Sequence, residues 1–484
     1  MRKLFSLLLI ACTYKQLSAQ DSLASDTSRL SLESVLKMTM AFHPVVKQAD
    51  LNLENADAII LEAKGQLDPK LALDYNLKDF KETEYYNILS TSFKVPTQIG
   101  IDPKVEFSRN RGDFLNPENF ISNSTDNRQV AVGFSIPIGK GLFFDERRNT
   151  IQQAKAFSQI AKADQLKEIN KILFSVVKDY WEWYYSYRKQ ELLAQAIVLA
   201  ENLFDRTLID YEFGEAAVVD TLQAKINYQK RIVDFQKSVL EVQLSKLNLS
   251  RHFWSNDLIP LEIAENVLPD SSSLFITPTD DQLATNVRNA MESHPEIQKL
   301  EGKKEQLNFD LRWRRESLKP QVDLSYSFID APLDPDFSSR SIDFGENYKL
   351  GVDFSIPIFL RKERGKLQQT KVKLLSNDYS LAQNQVNIKN SIFGKFAESI
   401  TLQELLSQYQ GVSDNYRRLL NAEIINLQNG EADLFKINIQ QDKYIEAQID
   451  FYEAFMKWEK SKADYLHAAG IPYLGLSALF GRID

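Results

Sequence analysis

Phe134-Ser135-Ile136-Pro137-Ile138 returns unchanged as Phe354-Ser355-Ile356-Pro357-Ile358 in this chain of 484 residues. Five residues alone decide little, but their surroundings return in the same order. Upstream, Ala41-Phe42-His43-Pro44 is echoed by Glu292-Ser293-His294-Pro295. Leu67-Asp68-Pro69-Lys70-Leu71-Ala72-Leu73-Asp74-Tyr75 matches Leu318-Lys319-Pro320-Gln321-Val322-Asp323-Leu324-Ser325-Tyr326. Downstream, Gln152-Gln153-Ala154-Lys155 pairs with Gln368-Gln369-Thr370-Lys371, and Gly214-Glu215-Ala216 with Gly430-Glu431-Ala432. Ordered matches of this kind mark an internal duplication, which governs the whole fold. The chain reads as one unit written twice, 31–270 and 279–484, joined by the Pro-, Ser- and Thr-rich stretch Pro269–Asp281.

Inside each unit the apolar period switches. Asp145–Tyr211 and Arg361–Leu427 contain no proline and scarcely any glycine. Leu405, Tyr409, Val412, Tyr416 and Leu419 step by 4, 3, 4 and 3, the heptad spacing of a coiled coil. A helix of this length spans roughly 100 Å. Shorter helices are expected over Leu32–Gly65, Val218–Phe253, Asp281–Leu318 and Ala432–Ala469. Between the helices the period drops to two. Leu71, Leu73, Tyr75 and Leu77 alternate with Ala72, Asp74, Asn76 and Lys78; Val130, Val132, Phe134 and Ile136 alternate with Ala131, Gly133 and Ser135. The second unit repeats this with Val322, Leu324, Tyr326 and Phe328, then Leu350, Val352, Phe354, Ile356 and Ile358. Strands of about ten residues, apolar on one face and small or polar on the other, suit the wall of a lipid-facing barrel. The alternative is an amphipathic sheet on a soluble core, but the helices offer no obvious layer to cover it. Strands are expected over about 70–138 and 321–358.

Composition narrows the function. Acidic residues outnumber basic ones, 66 to 58, which argues against nucleic acid as a partner. One cysteine and four histidines leave little for a metal site, a thiol enzyme or a disulfide framework. No catalytic constellation stands out, so neither an enzyme nor a cofactor is expected. Met1–Gln20 has the layout of an export signal: Arg2 and Lys3, an apolar core from Leu4 to Cys12, and a cleavage site at Leu17-Ser18-Ala19. This assigns 1–19 as a signal peptide. Cys12, after Leu9-Ile10-Ala11, also suits a lipoprotein box, so cleavage after Ala19 and lipidation at Cys12 both stand. Beyond the signal no apolar run reaches 18 residues, so membrane entry requires a closed barrel.

Over nearly the whole mature chain the sequence resembles the TolC family of outer-membrane efflux channels. The resemblance rests on the duplicated unit, the two long helices, the paired Leu-x-Pro entries into a strand and the Phe-Ser-Ile-Pro-Ile exits. Tyr211-Glu212-Phe213-Gly214, followed by Asp220-Thr221-Leu222-Gln223-Ala224, looks like the family's tip between long and return helix. The resemblance implies a mainly α fold with transmembrane β: a long coiled-coil helical barrel in the periplasm fused to a trimeric β-barrel in outer-membrane lipid. It further implies a homotrimer that passes substrates outward unchanged, as the exit duct of a tripartite efflux or type I secretion system. A periplasmic adaptor and an inner-membrane pump would then dock at the helical tips, through Tyr211, Phe213, Gly214, Leu427 and Gly430. Glu212, Glu215, Glu431 and Asp433 would face one another there as an acidic aperture. The competing reading is an exported coiled-coil structural or adhesion protein with no channel.

One departure stands out. Pro69 to Pro137 spans 68 residues and Pro320 to Pro357 only 37, so the first unit carries 31 extra. Ile99, Ile101, Pro103, Val105 and Phe107 alternate with polar or small residues there; Tyr85, Leu89, Phe93 and Val95 form a weaker face. The insert is either a further pair of membrane strands or an extracellular hairpin. Three other features read as structure. The His43-Pro44 and His294-Pro295 steps are helix starts. The aromatic run Tyr180–Tyr187 is interhelical packing. Gly139-Lys140-Gly141 lacks the spacing of a phosphate loop.

Overall fold

The computed structural model describes residues 28–116, 121, 127–330, 347–429 and 434–472. The signal segment 1–19, Cys12, Gly430, Glu431 and Asp433 lie outside the described residues.

Each unit opens on two helices where the sequence pattern suggests one. The first pair is α1 (Leu32–Phe42) and α2 (Pro44–Lys64). The second is α5 (Asp280–Ser293) and α6 (Pro295–Glu316). A residue before proline is driven out of the helical region, and His43 (ψ 130°) and His294 (ψ 131°) are extended. The break escapes a periodicity argument because proline is at ease in a helix's first turn. Each imidazole caps the helix it precedes: His43 Nδ1 accepts from Val45 N at 3.1 Å, and His294 Nδ1 from Glu296 N at 3.2 Å.

Six strands follow in the two units together. They are β2 (Lys70–Phe80), β3 (Thr83–Lys94), β4 (Asp102–Arg111), β5 (Arg128–Pro137), β7 (Gln321–Asp330) and β8 (Tyr348–Ser355). They form one antiparallel sheet in chain order, with β5 paired to β7 across the two units. β7 pairs directly with β8, whereas β3 and β4 stand between β2 and β5. The 31-residue insert is therefore a hairpin built into the sheet. The register sorts the two faces rung by rung. Leu71, Phe93, Val105, Val132, Phe328 and Tyr348 form one rung across all six strands; Lys70, Lys94, Lys104, Gly133, Ser327 and Lys349 form the next, on the opposite face.

From the sheet run α3 (Glu146–Glu212) and α7 (Arg361–Gln428), of 67 and 68 residues. They return as α4 (Val218–Ser250) and α8 (Leu434–Ala468). Asp145 starts α3 by accepting from Arg148 N at 2.9 Å. Near the sheet the helices pack in the order α2, α3, α6, α7; farther away the order is α4, α3, α8, α7.

Where the two halves of the column meet, β1 (Arg29–Leu30) pairs in parallel with β6 (Leu268–Pro269). The largest core cluster lies against them. Tyr180, Trp181 and Trp183 are fully buried, with Trp181 edge-on to Phe455 at 5.6 Å, so the aromatic run is packing. The Tyr180 hydroxyl accepts from Asp270 N at 3.0 Å and lies 2.9 Å from Leu30 O. Beneath the linker a buried Lys462 bonds Glu459 at 2.6 Å and Ser273 Oγ at 2.6 Å, its ammonium 3.7 Å from the Trp458 ring centre. Burial pushes the Glu459 carboxyl up and the Lys462 ammonium down, so each ion depends on the other. Gly139-Lys140-Gly141 is also structural: Lys140 N donates to Pro320 O at 2.8 Å, and a Cβ at Gly139 would stand 2.2 Å from that carbonyl.

Candidate functional site

The far end of the column is the turn between α3 and α4. Phe213 N donates to Ile209 O at 3.1 Å, and Glu215 N closes back on Asp210 O at 2.8 Å. Gly214 supplies the left-handed step, φ +78°, that this reversal needs. On the far side Ala217 N donates to the Asp220 carboxylate at 3.0 Å, which fixes the start of α4. A turn satisfied by its own backbone leaves its side chains free. Phe213 is 78 % exposed, and Tyr211, Val218, Val219 and Leu222 surround it with further exposed apolar surface. Glu212 and Glu215 are exposed beside it. The matching turn after α7 begins at Asn429, whose N–H reaches Ile425 O at 3.1 Å, with Leu427 half-buried just before it. The proposed tip residues of the first unit thus share one exposed turn; those of the second unit, apart from Leu427, fall on 430–433.

The sides of the column carry a second feature. Among the described residues the chain has two open ends at every level: β2 and β8 in the sheet, α2 and α7 beside it, α4 and α7 toward the tip. The expected heptad on α7 is only partly covered within the chain: Leu405, Tyr409, Val412 and Leu419 are 36–45 % exposed, and Tyr416 is half-buried. Val372, Leu375, Tyr379, Val386 and Phe393 continue that uncovered stripe toward the sheet. α4 has its own, with Leu222, Ile226, Val233, Leu240, Leu244 and Leu247 exposed. This second stripe was missed at the sequence level, although its spacings of 3, 4 and 7 already carry the heptad signal.

The family model for the outer membrane efflux protein matches residues 35–245, from α1 through most of α4. Over that stretch, most of the first unit, the chain is similar to the outer membrane efflux protein family. Solved channels share its fold over nearly its whole length. The CmeC outer membrane channel of Campylobacter jejuni is 15 % identical, with a TM-score of 0.64 over 91 % of this chain and 85 % of that one. VceC of Vibrio cholerae is 15 % identical, with a TM-score of 0.63 over 91 % and 96 %. The open state of the MtrE channel of Neisseria gonorrhoeae is 14 % identical, with a TM-score of 0.63 over 91 % and 88 %. No curated protein sequence matches. No helix among the described residues is long and apolar enough to cross a membrane, and the six-stranded sheet carries one continuous apolar face.

Proposed function

We propose that three copies close head-to-tail into one conduit, which a periplasmic adaptor and an inner-membrane pump join at the tips in a tripartite export system. The open arc carries this reading. An unpaired strand edge is not tolerated in lipid, so β2 and β8 each need a partner strand that the same chain does not supply. The exposed stripes on α4 and α7 ask for the same neighbour at the same sides. Unlike edges meeting by rotation give a heterologous contact that closes as a ring; the family resemblance supports three copies. The ring would place the polar rungs inward and the apolar rungs against lipid, with the helices as a tunnel of roughly 100 Å. The units 31–270 and 279–484 would each supply half of every subunit's arc.

Phe213 and its apolar surroundings suit docking by a partner's helical or hairpin tip, with Tyr211 and Gly214 in the same turn and Leu427 just before the matching one; the family resemblance adds Gly430 to this set. Glu212, Glu215, Glu431 and Asp433, brought together around the axis, would repel one another and favour an opening. The test is outer-membrane fractionation with gels run heated and unheated. A heat-sensitive trimer in the outer membrane is expected, whereas a soluble periplasmic monomer overturns the reading in favour of an exported structural protein.

A further inference from the structure

We infer that the inserted β3–β4 hairpin is part of the barrel wall and sets the calibre of the outer-membrane pore, adapting it to water-soluble cargo bulkier than two strand pairs per subunit would admit. The inference rests on the ring of three proposed above. Three six-stranded arcs make an 18-stranded barrel; without the hairpin the same ring has twelve strands. Barrel diameter grows about linearly with strand number, so the hairpin widens the pore about 1.5-fold, into the range of wide aqueous channels.

Three observations place the hairpin in the wall. First, its register continues both faces: Val105 stands between Phe93 and Val132 on the apolar face, and Glu106 between Ser92 and Ala131 on the polar face, while the seam to β2 keeps one register from Lys70 to Lys78 and shifts only at Lys78/Asp79, beside the β2–β3 turn. A hairpin folded above the membrane has no need to keep that alternation. Second, its strands of 12 and 10 residues match the lengths of β2 and β5 on either side. Third, its turn on the helical side is tied down. Asp102 accepts from Thr97 N at 3.0 Å and from Arg147, in the first turn of α3, at 3.0 and 3.2 Å; Lys94 lies 3.4 Å away. At the corresponding place in the second unit, 216 residues on, stands Glu363, and among the described residues that unit has no hairpin to anchor.

Two measurements test this. Cys12 is the sole cysteine and lies in the signal segment, so single-cysteine variants read one position each once that signal is cleaved. In intact trimers, Glu106→Cys should react with a membrane-impermeant maleimide and Val105→Cys should not. Equal labelling of both in a chain that still runs as a trimer overturns the wall assignment and leaves the trimer standing; a chain that runs only as a monomer overturns both. The second variant deletes Lys81–Arg111, which joins β2 to the native extracellular loop and restores the two-strand plan of the second unit. Polyethylene glycols of graded size, added to the extracellular side of single channels, should show a size cut-off about 1.5-fold smaller in radius for the deletion. An unchanged cut-off overturns the inference. If the deletion fails to assemble, the cysteine pair still decides.

Discussion

At the scale of single residues, the junction of the column's two halves is held by few groups with large individual effects. Tyr180→Phe removes the acceptor of Asp270 N and the contact to Leu30 O, so β1 and β6 lose their common anchor. A loss of about 1–3 kcal/mol is expected by denaturant titration. The histidines predict a pH dependence. Burial, with His252 beside His43, lowers His43 to about 4; burial lowers His294 to about 4 as well. The folded chain thus holds both imidazoles neutral while the unfolded chain takes up protons near the ordinary value of 6.5. Their contribution is complete above about pH 6.5 and is lost as pH falls toward 4. His43→Asn with His294→Asn keeps a capping acceptor but cannot titrate. Melting curves between pH 7 and 4 should be flatter for the double variant; parallel curves contradict the assignment. The His-Pro steps were legible as helix starts. That His252 lies 5.9 Å from His43 was not, because the two are joined only through tertiary packing.

Among elements, the long helices were the most legible, since freedom from proline and glycine bounds them within a residue or two. The inserted strands were legible as strands, but alternation states that a segment has two faces, not which sheet it joins. Register decided that. The heptad on α7 was legible as a seam, yet its partner could not be named, because spacing shows that a face is to be covered and not by what. Two predictions belong here. Leu240→Glu on α4 or Tyr409→Glu on α7 places a charge on an exposed stripe, where the isolated chain tolerates it. Each should sharply lower the trimer fraction on unheated gels with little change in monomer folding, read by far-UV circular dichroism. At the tip, a Cβ on Gly214 meets nothing within 4 Å. Its replacement by valine costs only the left-handed backbone, about 1–2 kcal/mol. Gly214→Val should keep the trimer while export of the pump's substrate falls; full export would count against docking at this turn.

The described residues of the whole molecule leave two open ends, and the proposed ring gives both of them a neighbour around a common axis. In the proposed ring the 43 % apolar content belongs in part to seams and a lipid face that a single chain does not cover. The scarcity of cysteine and histidine fits a conduit, whose work is done by shape rather than by reactive side chains. The most direct measurement is single-particle cryo-electron microscopy of the protein extracted from outer membranes. A closed ring of three chains is predicted, with β2 of each subunit paired to β8 of the next and 18 strands around one lumen. A monomer with both edges free, or a dimer joined through like edges, would contradict the account.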